Sequence, residues 1–362
     1  MNQNRPIDSS RPIRAGEELD TQKLTTYLLT HIPDLNNSIE VEQFPAGFSN
    51  LTYLLRAGDR EMVLRRPPVG AKIKSAHDMG REFKILSHLY PIYRKVPRPL
   101  LYCEDESILG VPFYLMERVR GVILRAQLPE AITLNEDVMH KLCQSFIGNL
   151  TEIHAVDYER AGLGDLGLAK GYVKRQVDGW IRRYFNARTD DVPEIEQLAK
   201  WLAENRPDDS STGSLIHNDY KFDNLVLSPN DLSEVVAVLD WEMATIGDPL
   251  MDLGTTLGYW VDADDDATWK RYAFGVTSFP GSLTRSELVQ RYCEISGRDV
   301  GDIVFYYAYG LLKIAVIVQQ IYFRFRQGLT KDQRFAHLDK LVQACGSMAL
   351  RAVEKRRIDH LS

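Results

Sequence analysis

The stretch His217-Asn218-Asp219-Tyr220-Lys221-Phe222-Asp223-Asn224 decides the reading of this chain. It follows the apolar run Ser214-Leu215-Ile216 and precedes Leu225-Val226-Leu227, so it reads as a polar loop between two hairpin strands. A further carboxylate, Asp240, ends the next strand-like run, Val235 to Leu239. Such a loop folds Asp219 and Asn224 toward one cleft, and the next hairpin brings Asp240 alongside. An Asp and the Asn224 side-chain oxygen are hard ligands suited to Mg²⁺. The remaining Asp can orient a hydroxyl, and Lys221 can neutralise a phosphate. Taken locally, the same residues make a polar turn closed by an Asx bond. Three polar groups at these offsets, each flanked by apolar strand, favour the chemical reading.

The pattern matches a phosphoryl-transfer template in which a loop Asp accepts the hydroxyl proton while an Asn five residues on and a downstream Asp hold the metal. The sequence on either side fits two lobes. Residues 17–31 read as a helix. The period then changes to two, with strands at Ile39 to Phe44, Leu51 to Arg56 and Met62 to Arg66, turning at Pro45-Ala46-Gly47 and Gly58-Asp59. A helix over 75–90 and strands at Leu100 to Cys103 and Pro112 to Val119 complete a small sheet lobe. After Gly121 the texture is helical over 133–155, 170–187 and 193–205, then again from Pro249 onward. The expected division is a disordered tail over 1–16, a nucleotide-binding lobe over 17–120 and a larger lobe over 121–362.

The chain resembles the aminoglycoside phosphotransferase family, the small-molecule branch of the protein-kinase-like fold. The likeness is carried by His217-Asn218-Asp219 through Asn224, by Leu239-Asp240-Trp241-Glu242 and by Gly247-Asp248-Pro249-Leu250-Met251-Asp252-Leu253. It looks most like the branch that also occurs fused to acyl-CoA dehydrogenases, over roughly residues 35 to 345. The resemblance implies an α+β, two-lobed protein-kinase-like fold and a kinase using ATP and Mg²⁺. It places a nucleotide-covering loop at Gly47-Phe48-Ser49-Asn50, where backbone N–H groups of Ser49 and Asn50 would meet phosphate oxygens. It puts Arg65 where a kinase keeps a third-strand Lys, with Arg66 as an adjacent competitor and Glu82 as the ion-pair partner. Backbone groups of Glu117 and Val119 would take the adenine edge. Asp252 would brace the catalytic loop and His217 likewise. Asp248, before Pro249, reads as a helix cap, and Glu242 as an outward-facing carboxylate.

The chain has 362 residues, of ordinary globular composition, and a net charge of -6. That balance gives no reason to expect nucleic acid as a partner. Four widely spaced cysteines offer no metal or redox pair. The polar N-terminus has no apolar core of a secretory signal. Ile303 to Phe323 is long enough to span a membrane, yet Lys313, Gln319 and Gln320 interrupt it, so it reads as a buried helix. A cytoplasmic protein with no membrane partner is expected. The GxGxxG string at Gly162 to Gly167 lacks the preceding strand of a dinucleotide fold, and no GxxxxGK[ST] motif exists. Asp262, Asp264, Asp265 and Asp266 read as a solvated cap before Thr268.

The acceptor is approached through charge. Residues 313–360 hold ten Lys and Arg against four Asp and Glu. A basic surface there suits an anionic acceptor rather than a polycation. Lys313, Gln320 and Arg324 share one helix face and are candidate acceptor contacts. The resemblance to dehydrogenase-fused kinases points toward a hydroxyacyl-CoA or hydroxy acid. The alternatives are an aminoglycoside or amino-alcohol kinase and, from another class, a nucleotide-binding pseudokinase.

Overall fold

Alternating apolar residues over the first half of the chain build one antiparallel sheet. The computed structural model describes residues 8–33, 35, 38–45, 50–68, 78–128, 132–208, 213–330 and 332–362. Helix α1 (Thr21–His31) starts at the Asp20 cap, whose carboxylate accepts from Lys23 N, four residues later than the pattern predicts. Strands β1 (Glu40–Gln43), β2 (Leu51–Ala57) and β3 (Arg60–Arg66) follow, then α2 (Met79–Leu89), β4 (Pro99–Cys103), the single turn α3 (Glu106–Leu109) and β5 (Phe113–Glu117). The sheet order is β1-β2-β3-β5-β4, every pairing antiparallel. Tyr53, Leu55, Met62, Leu64, Phe113 and Leu115 face α1 as one core. The expected disordered tail is ordered at least in part, because Arg11 and Gln43 exchange backbone hydrogen bonds of 2.8 Å. Residues 1–7, the turn at Ala46-Gly47 and the start of the helix expected over 75–90 lie outside the described residues.

The second half contributes α4 (Glu136–His154), α5 (Tyr172–Ala187), α6 (Pro193–Glu204), and strands β6 (Ser214–Ile216), β7 (Leu225–Leu227), β8 (Val235–Val238) and β9 (Thr245–Gly247). Then come α7 (Pro249–Gly258), the short α8 (Ala267–Lys270), α9 (Arg285–Ser296), α10 (Ile303–Arg326) and α11 (Leu338–Lys355). The strands flanking the polar loop do not form a hairpin with each other. β6 pairs with β9 and β7 pairs with β8. The loop therefore joins two separate ribbons.

That pairing bears on the domain division. The chain forms two compact units, Met1–Ile123 with Asn224–Ala244, and Leu124–Asp223 with Thr245–Ser362. The first unit thus contains the β7–β8 hairpin, which a cut at residue 120 would assign elsewhere. Val122 and Leu227 exchange backbone bonds of 2.9 and 2.8 Å, and Val238 N–H donates to Lys95 O. Gly121 permits this approach, since a Cβ there would stand 2.4 Å from Leu227 O. In the second unit α10 packs against α5, α6, α7 and α11. It is the one described helix long and apolar enough to cross a membrane, and 83% of its most apolar window is buried inside the protein.

Candidate active site

Strand alternation sends Arg65 and Arg66 to opposite faces of the sheet. Arg66 goes to the α1 side, where it donates to Tyr53 Oη (2.9 Å) and Glu17 O (3.0 Å). Arg65 goes to the α2 side and reaches Glu82 (3.3 Å), Asp240 (2.8 Å) and Glu242 (3.5 Å). Burial alone would lower the Arg65 pKa, but Glu82 and Asp240 outweigh it and hold it well above the usual value. Burial pushes the Glu82 carboxyl up, against the pull of Arg65. Glu242 does not face outward as expected. It accepts from Asn50 Nδ2 (2.6 Å), and its main-chain carbonyl takes the Arg81 guanidinium (2.9 Å).

Asn224 and Asp240 belong to the same unit as this cluster. Leu239 N–H donates to Asn224 O (2.8 Å), so the β7–β8 hairpin fixes Asn224 opposite the residue before Asp240. Asp240 adopts a left-handed backbone, φ 67°. Among the described residues no group of three or more His, Cys, Asp and Glu stands together as a metal cluster. A Mg²⁺ held through one or two protein oxygens and the phosphates of a nucleotide needs none. The all-oxygen donors Asn224 and Asp240 fit such an ion. Glu117 N–H is taken by Arg98 O (2.8 Å), so that group is engaged within the protein. Val119 follows β5 and is partly exposed. Gly47 and Ser49 lie outside the described residues.

The polar loop is braced by neighbouring elements of the second unit. Asp252, fully buried on α7, accepts from His217 N and Asn218 N, both at 2.8 Å, and from His154 Nε2 at 3.1 Å. Burial would raise the Asp252 carboxyl, yet the His154 bond and charge hold it lowered. Asp219 N donates to His217 Nδ1 (3.2 Å). Asp219 itself receives Lys221 Nζ at 2.9 Å and the Tyr259 hydroxyl at 2.9 Å. Burial opposes the Lys221 charge, but Asp219 and Tyr259 more than restore it and its pKa is raised. Asp248 caps α7, its Oδ1 accepting from Leu250 N (2.8 Å). Tyr259 was not singled out by the sequence. Its spacing of seven from Asp252 puts both on one face of α7 and its last turn, which is the signal that finds it.

The three candidate acceptor residues separate. Lys313 is buried, with Nζ 2.6 Å from Asn218 O, whereas Gln320 and Arg324 are exposed near the end of α10. The acidic cluster also differs from expectation. Asp262 and Asp265 are buried around Arg285, while Asp266 caps α8 by accepting from Trp269 N.

A kinase-like α+β fold carrying this loop defines a small-molecule phosphotransferase, an enzyme that moves a phosphoryl group from a nucleotide to a hydroxyl. The model described as "Phosphotransferase enzyme family" matches residues 40–282, and the chain belongs to that family. It is 32% identical over 344 residues to "Acyl-CoA dehydrogenase family member 11" of Pongo abelii, covering 92% of this chain and 43% of that protein. The chain therefore spans less than half the length of that relative. A crystal structure from Ralstonia eutropha, provisionally assigned as an aminoglycoside phosphotransferase, superposes with a TM-score of 0.79 at 29% identity, over 93% of this chain and 99% of that one. An aminoglycoside phosphotransferase solved with GDP and kanamycin shares the fold at 16% identity, with a TM-score of 0.61 over 89% of this chain and 97% of its own.

Proposed function

We propose that the chain is an ATP- and Mg²⁺-dependent kinase of a small anionic alcohol, a hydroxyacyl-CoA or hydroxy acid. The observation that carries the reading is the bracing of Asp219: a carboxylate on a loop held by Asp252 and flanked by Lys221. In this role Asp219 orients the acceptor hydroxyl and takes its proton, while Lys221 offsets negative charge beside it. Asn224 and Asp240 hold the metal, whose contribution is to neutralise charge on the transferring phosphate. Arg65 holds Asp240 in place and, with Asn50, stands on the nucleotide side.

Two features support an acceptor with an apolar part and a polar group. A shallow recess beside Lys221 is walled by Phe146, Phe222, Tyr259, Trp260 and Phe274. The buried Thr256 hydroxyl, which also lines it, has no hydrogen-bond partner among the described residues. The relative's name, acyl-CoA dehydrogenase family member, points to acyl-CoA chemistry as the source of such an alcohol.

The test is a turnover screen with Mg-ATP over hydroxyacyl-CoA esters, free hydroxy acids and kanamycin. Hydroxyacyl or hydroxy-acid turnover is expected, and turnover of kanamycin alone would overturn the acceptor assignment. Asp219→Asn should lower kcat by about 10²–10⁴-fold while ATP binding, read by titration calorimetry, changes little.

A further inference from the structure

One buried cation is unused by the chemistry above. Lys313 lies mid-way along α10, 1% exposed, on an otherwise apolar segment. A lysine so placed needs a partner that repays its desolvation. Its ammonium donates to Asn218 O at 2.6 Å and lies 3.3 Å from Asn218 Oδ1, with the Trp180 ring centroid 5.8 Å away. Asn218 stands at φ 67°, in the left-handed region that asparagine adopts more readily than other non-glycine residues. Its own N–H is already held by Asp252.

The consequence concerns the next peptide unit. The Asn218 carbonyl and the Asp219 N–H belong to one planar group. Lys313 takes the carbonyl, and His217 Nδ1 accepts the N–H at 3.2 Å. Both ends of the plane that carries the Asp219 Cα are thus fixed. A backbone N–H can only donate, so His217 Nδ1 carries its lone pair in this arrangement.

We propose that Lys313 is a positioning residue for phosphoryl transfer: by gripping the Asn218 carbonyl it sets the plane of the Asn218–Asp219 peptide and so the direction of the Asp219 carboxylate. This rests on the reading of Asp219 given above. The charged groups facing Lys313 are Asp252 from α7, Asp219 and Lys221 from the loop, and Arg183 from α5. Burial pushes its pKa down to about 8, against the pull of Asp252 and Asp219. Below that pH the grip is a charge-assisted bond, and above it a weaker neutral one.

The full chain carrying Lys313→Met or Lys313→Arg is assayed with Mg-ATP and the acceptor found in the screen. Lys313→Met should lower kcat by about 10–100-fold, the scale of a misplaced catalytic group, with ATP affinity and melting temperature kept. The wild-type kcat should fall as pH rises through about 8, and that alkaline limb should be absent in either variant. Retained kcat in Lys313→Met, or a joint fall of kcat, ATP affinity and melting temperature, would overturn the role. If the screen yields no acceptor, the acceptor assignment has failed, and hydrogen exchange over 215–222 decides Lys313 separately. Faster exchange of the Asp219 amide in Lys313→Met, with α7 still protected, supports the grip; unchanged exchange refutes it.

Discussion

At the scale of single residues, the charges around Arg65 carry the strongest energetic consequence. One guanidinium serves three carboxylates, of which Glu82 is 1% exposed. Removing the cation from such a cluster leaves buried negative charge uncompensated, which costs far more than the pair itself contributes. Arg65→Met should therefore lower the unfolding free energy by about 3 kcal/mol. Adding Glu82→Gln should recover more than half of it, because the most deeply buried of the three charges goes with it. Urea titrations of the two variants and the wild type check this, and absence of recovery would show that Glu82 is not the partner that matters. How Arg65 and Arg66 divide their roles was not legible in the sequence. Alternation says they face opposite ways, but which face meets α2 depends on contacts far along the chain. The offset of Asn224 from Asp219, by contrast, is local and was legible outright.

Among the elements, the crossing of α7 and α10 holds the two residues that brace the polar loop, Asp252 and Lys313. The helices meet at Gly254 and Gly310. A Cβ on Gly310 would stand 2.1 Å from Gly254 O, and one on Gly254 would stand 2.1 Å from Tyr306 O. Neither obstacle is a side chain that can swing away, so the helices must separate. Gly310→Ala should cost about 1–3 kcal/mol of stability, as overpacking does, and should reduce kcat as well by moving Asp252 and Lys313 apart. Denaturation midpoints and kcat measured together test the point; a change in stability with full activity would mean that the crossing is only structural. Elements long enough to show a period were readable from the chain, as the 24-residue α10 illustrates. The three-residue β6 was readable as a strand at Ser214–Ile216, but neither β9 nor its pairing with β6 was, since so short a run specifies neither register nor partner. Their pairing spans the polar loop and the whole β7–β8 hairpin, so only the tertiary fold brings them together.

On the scale of the whole chain, discontinuity is the governing feature. The first unit borrows Asn224–Ala244 from the second half, so its fold requires a segment that arrives late in the sequence. The second unit is tied up in a comparable way near its end. Arg285, fully buried at the start of α9, donates two bonds to Asp265 (2.8 and 2.6 Å), one to Trp260 O (2.9 Å) and one to Ile358 O. The C-terminal segment is thereby joined to the loop after α7. Asp262 shares the guanidinium less well, at 3.3 Å, and burial pushes its pKa up to about 7 from an ordinary value of 3.8. Between those two pH values the folded chain retains a proton that the unfolded chain releases. Stability must then fall as pH rises from about 4 to about 7 and level off above, with a limiting slope of about 1.4 kcal/mol per pH unit. Asp262→Asn, neutral throughout, removes that term. The wild type should lose about 2 kcal/mol relative to the variant between pH 5 and pH 7, read from urea unfolding at each pH. Parallel curves for the two proteins would show that Asp262 is ionised in the folded chain and that Arg285 balances both carboxylates.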